Sequence, residues 1–155
     1  MEHFQTIFSL LAIIISIVAL IQSRRAKKST VFNEINEQMN IINNSPKEYG
    51  IKSPYSVLRG IKDNEDEIIA FEVLQSKFFN HLNLLNLVYY NRKLLGTELF
   101  NGYEKWIRTV LRPWIESSDD LIWLWKKVKE TEDLLGSEFV NWLDCELNIY
   151  RDNSN

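Results

Sequence analysis

The chain has 155 residues, 45% of them hydrophobic and 12% aromatic, with 18 basic against 21 acidic side chains. This composition excludes a disordered protein, and only five glycines and three prolines disfavour a β fold built on many tight turns. From residue 31 onward 14 basic residues stand against 20 acidic ones, a net of −6, so this part lacks the positive field that draws proteins onto nucleic acid.

Phe4 to Ile21, FQTIFSLLAIIISIVALI, is a run of 18 residues without a charge. At helical rise it reaches about 27 Å, close to the hydrocarbon thickness of a bilayer. Arg24, Arg25, Lys27 and Lys28 follow at once. A secretory signal carries its positive charge before the apolar run and a small-residue cleavage site after it. Here only Glu2 and His3 precede the run. Lys and Arg stay on the cytoplasmic side. The sequence therefore predicts a single-pass membrane protein with its N-terminus outside. Residues 1–23 form the transmembrane anchor, 24–30 a basic juxtamembrane segment and 31–155 a cytoplasmic helical domain. Gln5, Ser9, Ala12, Ser16, Ala19 and Ser23 repeat at 4, 3, 4, 3, 4 and so share one face. Small and polar residues on one stripe of a membrane helix admit the close approach of a second helix. The stripe predicts a homo-oligomer packed through this seam, or a seam lining a narrow pore.

The rest of the chain reads as all-α, a bundle of about five helices. Ser29 and Thr30 are candidate caps for VFNEINEQMNIIN, where Phe32, Ile35, Met39 and Ile42 repeat at helical spacing. This helix either continues the membrane helix or breaks near Ser29. Pro46, Gly50, Pro54 and Gly60 mark Asn43 to Asp63 as a long loop, with a short helix around Tyr55 to Arg59. A long helix then begins at Asp63 as N-cap. Glu65, Asp66 and Glu67 sit at the positive end of its dipole. Its inner stripe is Phe71, Leu74, Phe78, His81, Leu85 and Val88, and it ends near Asn91. Thr97, after Gly96, caps the next helix, with Leu99, Tyr103, Trp106, Val110 and Pro113 on its buried face. Pro113, which has no backbone N–H, is expected to kink or end it. Ser117 or Ser118 opens a helix with Asp119 and Asp120 in its first turn, running to about Leu135. Gly136 breaks it, and Ser137 caps a last helix to about Tyr150.

Candidate chemistry is sparse. Cys145 is the lone cysteine, which suits a reducing compartment, and it reads as a small buried helix residue. His81 is the one histidine beyond the N-terminal segment and lies on the apolar stripe. It reads as a core histidine satisfied by a neighbour such as Asn80 or Glu72. The acidic run at Asp63 to Glu67 lacks the alternating ligands and central glycine of a calcium loop. Lys105, Arg108 and Arg112 share a face and form a possible partner patch, with Lys126, Lys127 and Lys129 near Trp123 and Trp125. Those two tryptophans lie about 200° apart on one helix, so they cannot both face inward. The sequence offers no catalytic, cofactor or metal residues and is read as non-enzymatic.

The stretch FFNHLNLLNLVYYNRKLLGTELFNGYEKWIRTVLRPWIE, Phe78 to Glu116, resembles a family of short, uncharacterised bacterial proteins. These join one N-terminal membrane helix to a helical cytoplasmic domain of unknown function. The shared features are FEVLQSKFFNHLNLL, the basic turn NRKLLGTELF and the Trp and Pro pattern of WIRTVLRPWI. The resemblance covers about a quarter of the chain. It implies the inner membrane of a bacterium and carries no activity. The architecture also looks like the small membrane accessory protein of RNA-targeting CRISPR systems, which assembles as a ring-like pore. The nuclease motif of that helical superfamily is an Arg followed four to six residues later by His, and neither Arg59 nor Arg92 has such a partner. The sequence thus points to a membrane-anchored, self-associating interaction module with a cytoplasmic protein partner, in bacterial stress or phage defence. A pore or permeabilising effector, and a degenerate RNA-cleaving domain, are the alternatives.

Overall fold

The computed structural model describes residues 2–43, 58–60, 65–131 and 135–149, with side chains from residue 13 onward. Every element among them is helical. The expected N-cap Asp63 and the loop positions Pro46, Gly50, Pro54 and Tyr55 lie outside the described residues. Of the short helix expected there, Leu58 and Arg59 are described and helical, and Gly60 is a turn.

Helix α1, Glu2–Asn43, is one uninterrupted helix of 42 residues, about 63 Å long. It does not break at Ser29. The Thr30 hydroxyl, read as a cap, instead donates to the Ala26 carbonyl one turn back at 3.1 Å, so it is satisfied inside the helix. Helix α2, Glu65–Tyr90, runs antiparallel to α1. Ile42 shares a cavity with Lys77 and His81, Met39 shares one with Leu84, and Lys28 shares one with Leu95. Val31 and Ile35 of α1 are buried against Leu84, Val88 and Leu95. Their spacing of four residues puts them on one face, and Phe32 and Ile42 pack beside them against the same cluster.

The second half is a compact set of shorter helices. These are α3, Arg92–Leu95, α4, Thr97–Trp106, a π-helical turn, Ile107–Leu111, α5, Arg112–Glu116, α6, Asp119–Glu130, and α7, Ser137–Leu147. The main core gathers Phe78, Leu82 and Leu85 of α2 with Ile107, Leu111 and Ile115, Leu121, Leu124 and Trp125 of α6, and Phe139 and Leu143 of α7, all essentially fully buried. Trp125 faces in and its indole N–H donates to Asp144 at 3.1 Å. Trp123, on the other side of α6, is half-buried, edge-on to Phe71 and beside Arg59 and Lys127.

Pro113 neither ends nor interrupts the helical path. The turn before it widens: Arg112 N–H reaches back five residues to the Ile107 carbonyl. The wider turn inserts one extra residue and rotates everything after it. The buried positions therefore become Ile107, Leu111 and Ile115, while Val110, assigned to the core by 3.6-residue periodicity, is 50% exposed. Pro113 is exposed as well. Thr97 and Ser137 are first residues of their helices, not caps. Gly96 and Gly136 hold those positions with φ of +90° and +82°, and no side chain caps either end. At Gly136 the positive φ favours glycine, and a Cβ would also lie 2.5 Å from the Tyr90 hydroxyl and so displace that exposed ring. Helix α6 ends at Glu130, short of Leu135, and α7 ends at Leu147 with Asn148 in the left-handed region.

Phe78 has no exposed surface. Phe78→Ala should cost about 3–5 kcal/mol, read as a lowered melting temperature by circular dichroism. An unchanged melting temperature would mean that the ring is not part of the core.

Candidate functional site

The sequence-predicted residues separate into groups with very different surroundings. The group on the N-terminal half of α1 is the most unusual. Ile13, Ile14, Ile15, Ile17, Val18, Leu20 and Ile21 of α1 are each 46–66% exposed. At 100° per residue they cover roughly 220° of the circumference. Ser16, Ala19 and Ser23 fill the remaining arc and are exposed too. The side chains of Gln5, Ser9 and Ala12, the other half of the proposed seam, lie outside the described residues. Among the described residues no helix is long and apolar enough to cross a membrane. The uncharged run from residue 4 to 21 enters that description only at residue 13.

Below the apolar stretch, Arg24, Arg25, Lys27 and Lys28 are all exposed. Arg24, Lys28, Val31 and Ile35 repeat at 4, 3, 4 and so lie on one face of α1. That face is basic above and buried against α2 below. Arg24, Arg25 and Lys28 line a cleft with Lys93 and Leu94 of α3. Lys27 points away from it by helical phase. Sequence reasoning missed Lys93, which is remote in the chain. Its neighbour Arg92 folds back over the end of α2, donating to the Tyr89 carbonyl at 2.9 Å with its guanidinium 4.2 Å from the Tyr89 ring.

The expected partner patch is largely engaged within the domain. Arg108 pairs with Glu146 at 2.7 Å and Arg112 with Glu116 at 2.8 Å, while Lys105 is exposed. The hydrogen bond and charge of the Glu146 carboxylate raise the Arg108 guanidinium above its ordinary value. Lys127 and Lys129 likewise pair with Glu130 and Asp144. Cys145, read as buried, is exposed on α7 because its helical phase is set by Phe139, Leu143 and Leu147 facing the core. Glu65, Asp66 and Glu67 are exposed in the first turn of α2. Among the described residues no group of His, Cys, Asp and Glu is placed to hold a metal.

His81 is half-buried between two indoles, stacked on Trp106 at 5.7 Å and tilted against Trp114 at 5.1 Å. Its Nδ1 lies 2.6 Å from the Lys77 carbonyl. A carbonyl only accepts, so Nδ1 carries the proton in the neutral ring. Burial pushes the imidazole below its ordinary value. The Lys77 carbonyl works against this, and the Lys77 ammonium adds to it. A cavity of about 300 Å³ opens beside it, walled by Ile42, Val110 and Trp114. The cavity wall is mostly aromatic and apolar, with Lys77 as the one other ionisable group lining it beside His81. No family model, curated protein or solved structure matches the chain.

The lowered His81 value has a checkable sign. As pH falls through the ordinary imidazole range, the unfolded chain takes up its proton before the folded one, so stability is lost on that descent. The melting temperature should fall between pH 7.5 and 5.5 and should fall less in His81→Gln. Equal slopes for the two proteins would show that His81 is not the group being titrated.

Proposed function

We propose that the protein is a membrane-anchored helical interaction module. The N-terminal half of α1 spans the bilayer with the N-terminus outside, and the acidic helical domain is held against the cytoplasmic face. The observation that carries this reading is the exposure of the apolar stretch. Among the described residues the core packs on α1 only from Val31 onward, and Ile13, Ile14, Ile15, Ile17, Val18, Leu20 and Ile21 are exposed and belong to neither core cluster. Leaving a large aliphatic side chain half in water forgoes on the order of 1 kcal/mol, repeated for each of these residues. Such a helix, apolar around most of its circumference, is at its lowest free energy in lipid. The basic cluster directly after it gives the orientation.

The polar and small stripe adds self-association. Ser16, Ala19 and Ser23 lie roughly 100° around the helix from Val31 and Ile35. The domain therefore does not lie across the stripe, and a second copy can pack there with its own domain to the side. The helical domain is the part that meets a cytoplasmic protein.

A cytoplasm-active reporter fused after Asn155 should be active, and a periplasm-active one at the same place silent; the reverse pattern rejects the topology. For the seam, Ser9→Leu with Ser16→Leu should lower the oligomer mass in detergent, whereas Ile14→Ala with Val18→Ala should leave it unchanged. A wild-type protein that is monomeric in mild detergents and in nanodiscs removes the self-association.

A further inference from the structure

Arg24, Arg25 and Lys28 of α1 come together with Lys93 and Leu94 of α3 around an open cleft of about 500 Å³. The four cations make no ion pair among the described residues, in contrast to the basic residues of α5 and α6. We propose that this cleft binds the phosphate of an anionic phospholipid, and that the α3 corner is a second point of contact between the domain and the membrane surface. The inference rests on the membrane-anchored reading above.

Depth along α1 favours a lipid over a soluble phosphate. Ile21 is the last large apolar residue before the charges. Arg24 is about 4.5 Å further along the helix and Lys28 about 10 Å. The polar headgroup layer on each side of a bilayer is roughly 5–8 Å thick. Arg24 and Arg25 therefore stand within that layer, and the Lys28 backbone lies just beyond it, near enough for its long side chain to reach back. Lys93, sharing their cleft, is brought to the same depth from a distant part of the chain. The antiparallel course of α2 does this: it carries its C-terminal end, and α3 after it, back towards the start of the buried part of α1. The chemistry is graded as a phosphodiester needs. Two guanidiniums offer paired N–H donors and two ammoniums supply point charge, while Leu94 gives an apolar wall for the glycerol end. On the other side of Lys28 the next cleft carries Glu98 beside Gly96 and Thr97. That carboxylate repels phosphate and confines the site to the side of Lys93. Arg92, clamped on Tyr89, holds the corner in place.

The test uses the full chain in nanodiscs, with Cys145→Ser as background and a fluorophore on Thr97→Cys, an exposed position at the α3 corner. Nitroxide on the lipid headgroup should quench it when phosphatidylglycerol is present and much less in phosphatidylcholine alone. Lys93→Gln should raise the phosphatidylglycerol content needed for half-quenching about fivefold, the worth of one basic residue near an anionic surface. Lys105→Gln, exposed on α4 and away from the cleft, should change nothing. A second fluorophore on Ile17→Cys, quenched by nitroxide on the acyl chains in both lipids, reports the anchor itself. If Ile17→Cys is not quenched, the anchored reading fails and the proposal with it. If Ile17→Cys is quenched but Thr97→Cys responds equally in both lipids, the anchor stands and this proposal is overturned. Loss of the Thr97→Cys signal on adding inorganic phosphate, at constant ionic strength, would assign the cleft to free phosphate and also overturn it.

Discussion

The packing of Val31 and Ile35 onto Leu84, Val88 and Leu95 couples the two halves of the molecule. Above that contact the described side chains of α1, from Ile13 to Thr30, are exposed; below it, α1 is one wall of a core. Because the helix is unbroken through Ser29 and Thr30, the contact fixes both the height and the rotational phase of the domain relative to the apolar stretch. A flexible linker at Ser29 would have freed both. The cleft with Lys93 exists only because this phase places Arg24 and Lys28 on the side that α2 and α3 approach. The stripe of Ser16, Ala19 and Ser23 stays uncovered for the same reason.

Inside the domain the governing adjustment is the π turn at Ile107–Leu111. A proline in a regular helix loses one hydrogen bond and presses its ring on the carbonyl four residues back. Widening the turn ahead of Pro113 lets the helical path continue to Glu116. The extra residue turns Leu111 and Ile115 into the core and Val110 out to the cavity beside His81. Thr109 back-bonds to the Lys105 carbonyl at 2.8 Å in the same turn, satisfying its hydroxyl where the backbone pattern changes. The π turn thus sits beside the two indoles that enclose His81, and the aromatic pocket depends on that local change of register.

Much of this fold was legible because an amphipathic helix writes its buried face at three- and four-residue spacing. Phe71, Phe78, Leu85 and Val88 of the predicted stripe are buried, and the acidic first turn of α2 begins where the charges indicated. What was hidden follows from the same rule. A π turn has a longer period, so the stripe from Leu99 to Pro113 was extended one residue out of phase. Capping was assigned to Thr97 and Ser137 by residue type, while glycine with positive φ holds both places. The proposed lipid cleft needs Lys93, and nothing local in NRKLL marks it. Only the antiparallel return of α2 brings it to Arg24. The patch Lys105, Arg108 and Arg112 was legible as a row, but its neutralising partner Glu146 lies on α7.

In the proposed membrane-anchored arrangement, these ion pairs bear on how an acidic domain rests near an anionic surface. From residue 31 the net charge is −6, and carboxylates facing such a surface within a Debye length are repelled. The domain meets this by geometry. Arg59, Arg108, Arg112, Lys127 and Lys129 are paired with Asp120, Glu146, Glu116, Glu130 and Asp144 respectively, which removes charge of both signs from the outer face. Arg24, Arg25, Lys28 and Lys93 are left to act together at the end nearest the apolar stretch. Attraction is then concentrated at the collar and repulsion spread over the far body of the domain. In the proposed arrangement the two forces form a couple that keeps the α3 corner at the membrane surface and turns the acidic far body away from it. Burying Val31 and Ile35 makes that posture rigid, because any tilt of the domain must bend an unbroken helix.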